Sequence, residues 1–374
     1  MRRARASCIA GSVLALTIAT AIAVPAGPAS AASRAPTLRA VHFSGSFTAQ
    51  QITGVGGSLW VLGSRSPSTF TDCGLERFDV STLASQSYPL PQCATGIASG
   101  NGKVYLLVNQ VELPSNTRDY HIEVFDPVTG AAQVLPPVVL QNVGSAVAHT
   151  DLSFGDGSLW LYGYSIGGSS EVVQISPQTG GVQSTIPNAP EIGGVYPAVV
   201  ATSAGQWLGG GPGGSALLER VQTGSGAATN TRLVTGGRSG SILWLSAAAG
   251  RVWAGVAKYY GTPGTTTLTT RLVALNEQGH VAVRSPWESV GLYPVVATPD
   301  NRLWDVEYPA RCEGSVRLLE ISPSTGVSHS AARLLAPPEV CNDEDAGSEL
   351  AAIGSRVFVL FPTEAGAVLY RAST

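Results

Sequence analysis

Two carboxylates, Asp151 and Glu349, are the residues of this chain whose type and placement most invite chemistry. Each stands nine positions before a large aromatic, Trp160 and Phe358, within a short pattern that recurs along the sequence. If the repeats close into a ring, the acids meet at its axis. Paired carboxylates there could hold a cation or divide the acid and base roles of a catalyst. His149 lies two residues before Asp151, and Gln51 occupies the same repeat position as the two acids. Glu307 is the acid three residues past a repeat aromatic, Trp304. Calcium or magnesium is the cofactor that such a set could hold, and no motif demands one.

Other chemical signals are weaker. Gly209 to Gly214 spells GxGxxG but leads into strand-like residues 215–220, with no helix N-terminus to receive a phosphate. There is no GxSxG elbow and no HExxH, and the five histidines are scattered. Cys341-Asn342-Asp343-Glu344-Asp345 is the densest charge cluster. Its spacing is not that of an EF-hand, so it reads as a solvated loop pinned by its cysteine.

The elements that must position these groups are strands. A small-residue turn followed by Leu or Val and an aromatic recurs seven times, with the aromatic at Trp60, Tyr105, Trp160, Trp207, Trp253, Trp304 and Phe358. The interval of 45 to 55 residues is that of β-propeller blades. A second recurring turn, Asp126-Pro127-Val128-Thr129-Gly130 and its copies at Ser176 and Ser322, joins a further strand pair in each repeat. The expected fold is all-β: a seven-bladed propeller of four-stranded antiparallel blades. The last repeat lacks an outermost strand, and residues near 37 to 43 are spare at the other end. The N-terminal strand is therefore expected to complete the last blade and cover its edge. The repeated aromatics are expected to fill the space between blades. Residues 258–271 and 109–121 read as long loop insertions.

The alternation of Gly-x-Leu-Trp with Asp-Pro-x-Thr-Gly resembles the virginiamycin B lyase family and related secreted seven-bladed propellers. That resemblance spans residues 32–374 and carries an architecture. The family's lyase chemistry would imply a metal-assisted His base, and no histidine here matches one by motif. The family's acid three positions past the Trp is kept only at Glu307.

Residues 1–31 have a basic start, a 17-residue apolar stretch and a small-residue end at Ala29-Ser30-Ala31, the layout of a signal peptide. The expected organisation is a leader over 1–31 and one propeller domain over 32–374, secreted and without a membrane span. Without the leader, 19 basic residues face 25 acidic ones. That balance argues against nucleic acid as a partner. Four cysteines remain in this exported part, and comparable repeat positions predict Cys73 with Cys93 and Cys312 with Cys341. The expected function is a monomeric binding or scaffold propeller that displays loops to an extracellular ligand or protein. The alternative is a metal-assisted lyase or lactone hydrolase at the channel mouth.

Overall fold

The computed structural model describes residues 36–43, 47–66, 71–112, 118–141, 143, 147–165, 169–187, 198–210, 216–222, 228–233, 239–260, 267–287, 291–292, 294–308, 315–335, 349–363 and 366–373. The leader, Cys312, Cys341 and the acidic run 342–345 lie outside them. Among the described residues, thirty strands form seven antiparallel sheets, and there is no helix.

Blade 1 is β2 (Thr48–Val55), β3 (Ser58–Ser66), β4 (Thr71–Asp79) and β5 (Ser85–Pro89). Blade 2 is β6 (Ala94–Gly100), β7 (Lys103–Glu112) and β8 (Arg118–Phe125), with an outer edge divided between β9 (Ala132–Val134) and β10 (Val138–Leu140). Pro136 and Pro137 fall at that break, where a strand could not use the missing N–H donors. Blade 3 is β11 (Val147–Gly155), β12 (Ser158–Ser165), β13 (Ser170–Ile175) and β14 (Val182–Pro187). Blade 4 is β15 (Ala198–Thr202), β16 (Gly205–Gly210), β17 (Leu217–Val221) and β18 (Ala228–Arg232). Blade 5 is β19 (Ser239–Ala248), β20 (Arg251–Tyr260), β21 (Thr267–Leu275) and β22 (Val281–Arg284). Blade 6 has a divided inner edge, β23 (Gly291–Leu292) and β24 (Val296–Ala297), then β25 (Leu303–Tyr308), β26 (Ser315–Ile321) and β27 (Ser328–Leu335). Blade 7 is β28 (Glu349–Ile353), β29 (Arg356–Thr363) and β30 (Gly366–Ser373), completed by β1 (Thr37–His42). The register runs from Thr37 opposite Ser373 to His42 opposite Val368. This is the expected closure by the N-terminal strand.

The innermost strands contact one another in the order β2, β6, β11, β15, β19, β24, β28 and back to β2, which makes a closed ring. Each interface between blades holds one apolar cluster, seven in all. The repeat aromatics are buried in them, each at most 2% exposed. Trp60 meets Phe125 of the following blade edge-on at 5.1 Å. Buried indole N–H groups need acceptors. Trp160 and Trp253 donate to the carbonyls of Gly155 and Ala248, and Trp207 and Trp304 to the hydroxyls of Thr202 and Thr298.

Sequence explains the inner hairpins. Asn101-Gly102 and Asp156-Gly157 have positive φ at both residues, the geometry of a two-residue type I′ turn matched to strand twist. Blades are also latched to one another. Arg371 of blade 7 donates to the carbonyls of Val80 and Ser81 in blade 1, and Arg220 of blade 4 to that of Glu277 in blade 5. Both arginines sit opposite their own blade's aromatic, Phe358 and Trp207.

One expectation is corrected, and one blade departs from the repeat. Residues 109–112 and 118–121 belong to β7 and β8, and 258–260 and 267–271 to β20 and β21, so these stretches mostly lengthen hairpin strands instead of forming loops. In blade 6 the inner turn holds one extra residue, with Thr298 bonding to Arg302. That shifts the register, and Val295, nine residues before Trp304 as Asp151 is before Trp160, is fully buried.

Candidate functional site

Asp151 lies in β11 opposite Tyr162, and Glu349 opens β28 opposite Leu360. Both partners stand two residues past the repeat aromatic, so the acids hold one position in different blades. Gln51, opposite Leu62, holds it in blade 1, Gly96 in blade 2, Ala198 in blade 4 and Trp244 in blade 5. Trp244 packs against Gly255, where an added Cβ would come within 2.4 Å of the indole. The acids thus share their ring with an amide and with apolar or small groups.

Asp151 and Glu349 are each partly exposed, and protein encloses them deeply enough to disfavour charge. Burial raises Asp151 to about 6, against an opposing hydrogen bond from the Leu152 backbone N–H. Burial raises Glu349 to about 7, and the negative charge of Asp151 adds to it. The repulsion falls on Glu349 because Asp151 ionises first, while its neighbour is still neutral. Among the described residues neither acid has a cationic partner. The charge of Asp151 thus reaches Glu349 across the ring.

The other expected site residues are placed differently. Gln51 accepts a hydrogen bond from the Ile97 backbone N–H at 3.0 Å, a stitch between blades 1 and 2. Neighbouring stitches join Thr53 to Ser99 at 2.7 Å and Ser153 to Gln206. His149 lies in β11 opposite Tyr164, and its side chain is outside what is described. Glu307 lies on the second strand of blade 6, not the first, and Arg317 grips it through Nε at 2.7 Å and Nη2 at 2.8 Å. Among the described residues no group of three or more His, Cys, Asp or Glu side chains is arranged to hold a metal ion. Cys73 and Cys93 form the expected disulfide, with Cα atoms 5.1 Å apart.

Sequence reading missed a second family of acids. Glu76, Glu123 and Glu219 all lie on the third strand of a blade, opposite the residue that follows the repeat aromatic. Unequal hairpin lengths hide the correspondence, since these glutamates fall at different distances from their aromatics. Glu219 is fully buried, and among the described residues neither carboxyl oxygen has a hydrogen-bond partner. Burial raises it to about 7.

No protein-family model matches the chain, and no curated protein sequence matches it. Solved structures do. The RRP9 WD40 repeats are 12% identical, with 91% of this chain and 99% of that one covered at a TM-score of 0.57. For the β-propeller domain of the Trilobed protease from Pyrococcus furiosus the values are 10%, 88%, 94% and 0.56. For YCF48 bound to D1 peptide they are 11%, 90%, 95% and 0.55. At such identities the likeness shows the propeller fold alone, and no match to the virginiamycin B lyase family accompanies it.

Proposed function

We propose that this chain is an exported binding propeller that engages a cationic group of its ligand at the channel mouth through Asp151 and Glu349. The observation that carries this reading is the raised pair itself. Protein encloses each carboxyl, the charge of Asp151 opposes ionisation of Glu349, and no cation of the described residues offsets them. Such a pair destabilises the fold wherever both are ionised, and a bound cation relieves it. Gln51, Gly96 and Ala198 hold the same ring position in other blades and bring no further titratable group to the acids, a lining that suits capture more than proton transfer. Glu307, which a metal-assisted lyase or hydrolase would have needed nearby, is engaged with Arg317. Removal of residues 1–31 on export and a local Cys312–Cys341 bridge belong to the same proposal.

The test is thermal unfolding at pH 8 of the wild type and of Asp151→Asn with Glu349→Gln, with and without millimolar calcium or magnesium chloride. A ligand at ten times its dissociation constant stabilises by about 1.4 kcal/mol. The wild-type midpoint should rise with one of the ions and the double variant's should not. Equal responses from the two proteins would overturn the proposal.

A further inference from the structure

The three equivalent glutamates, each more than nine-tenths buried, meet three different surroundings. Glu76 is compensated within the chain: Arg65 approaches to 3.6 Å and Ser87 donates a hydrogen bond to the same oxygen. Glu219 is sealed in the apolar slot between blades 3 and 4. Glu123 instead borders a pocket of about 140 Å³ between blades 1 and 2, walled by Pro91, Gln92, Val108, His121 and Val134.

Blade 1 has the corresponding pocket against Glu76, of the same volume, and there Arg65 and Ser87 form part of the wall. The two pockets match position by position. Gln92 stands where blade 1 has Phe47, His121 where it has Gly74, and Val134 where it has Ser87. The position of Arg65, five past the aromatic, is Gln110 in blade 2. Blade 2 therefore has the acid and the cavity but neither of the groups that satisfy the acid in blade 1. Among the described residues Glu123 has no hydrogen-bond or ion-pair partner. A buried carboxyl that opens onto a cavity without a counter-charge is complementary to an incoming cation.

We propose that this pocket binds a small organic cation, a primary ammonium or guanidinium on a short apolar body, with its charged head on Glu123. A cavity of about 150 Å³ holds a benzene-sized molecule, so a body of four to six carbons fits about this space. Val108, Val134 and Pro91 take the body. The His121 ring and the Gln92 amide give the head further polar contacts, which an aliphatic alcohol of equal size would use less well because it lacks the charge.

The full-length chain carrying Asp151→Asn and Glu349→Gln removes the channel acids, so this test stands apart from theirs. Calorimetric titration of that protein with n-butylamine and with n-propylguanidine, each to about 10 mM, covers the millimolar affinity reachable by ligands of this size. Saturable one-to-one binding of at least one cation is expected. n-Butanol should bind at least tenfold more weakly, and adding Glu123→Gln should weaken cation binding at least tenfold. Lack of saturable binding, or equal binding by the Glu123→Gln protein, overturns the proposal. Should Glu123→Gln prevent folding, Val134→Trp decides the matter. Val134 is 59% exposed, so the larger ring would cap the mouth from outside the core. It should abolish binding, and retained binding overturns the proposal.

Discussion

Replacing Glu219 by Gln should make the propeller more stable at pH 8 and leave it nearly unchanged at pH 5. Glu219 is fully buried on β17, beside Tyr162 and Tyr164 of blade 3, with neither oxygen bonded. Burial raises its pKa from the ordinary 4.5 to about 7. A raised carboxyl is a group whose neutral form the fold prefers. The stability it contributes is full below 4.5 and is lost as pH rises toward 7. A gap of that size corresponds to about 3 kcal/mol at pH 8 and less than about 1 kcal/mol at pH 5. Gln keeps the shape and the burial of a polar head but never ionises. Urea unfolding of wild type and Glu219→Gln at pH 5 and pH 8 should therefore show a difference that opens with pH in the variant's favour. Glu219→Leu separates the two costs. It also removes the unsatisfied polar group, so it should gain about 1 to 3 kcal/mol even at pH 5. Wild type and Glu219→Gln lines that run parallel across this range would refute the assignment of the pH dependence to this carboxyl.

Three further outcomes follow from the same structure. Asp151→Asn removes the charge that adds to the burial of Glu349, so the titration midpoint of Glu349, followed by NMR, should fall; an unmoved midpoint would mean the acids are not in electrostatic contact. Cys73→Ser with Cys93→Ser opens a loop of 20 residues and should lower unfolding stability by about 3 kcal/mol, read by urea denaturation under non-reducing conditions. Gly155→Ala would set a Cβ within 2.5 Å of the Ala201 carbonyl carbon, so blades 3 and 4 must part locally, at about 1 to 3 kcal/mol in the same assay.

The propeller was legible in the sequence because its determinants are local. The two-residue turns at Asn101-Gly102 and Asp156-Gly157, the Pro-containing outer turns and the evenly spaced aromatics each act within a few residues of themselves, so their recurrence counts the blades. The spare strand at Thr37–His42 was legible for the same reason, as a strand left without a partner in its own repeat. The shared ring position of Asp151 and Glu349 followed from the repeat, since each stands nine residues before its blade's aromatic.

What the sequence could not show was what strand register and blade packing decided. Glu307 looked available until Arg317, on the neighbouring strand, was seen to grip it. Gln51 looked like a ligand group until Ile97 of the next blade bonded to it. One extra residue in the blade 6 turn leaves Val295 in the core, although it stands nine residues before its aromatic as Asp151 and Glu349 do. Glu76, Glu123 and Glu219 share a position that only strand register reveals, and they differ in the groups that packing sets against them. Turn chemistry and strand pattern are properties of the chain, and the sequence alone determined the architecture through them. Compensation of a buried charge depends on groups brought within a few ångströms by packing, so the fate of each acid was decided by the tertiary structure alone.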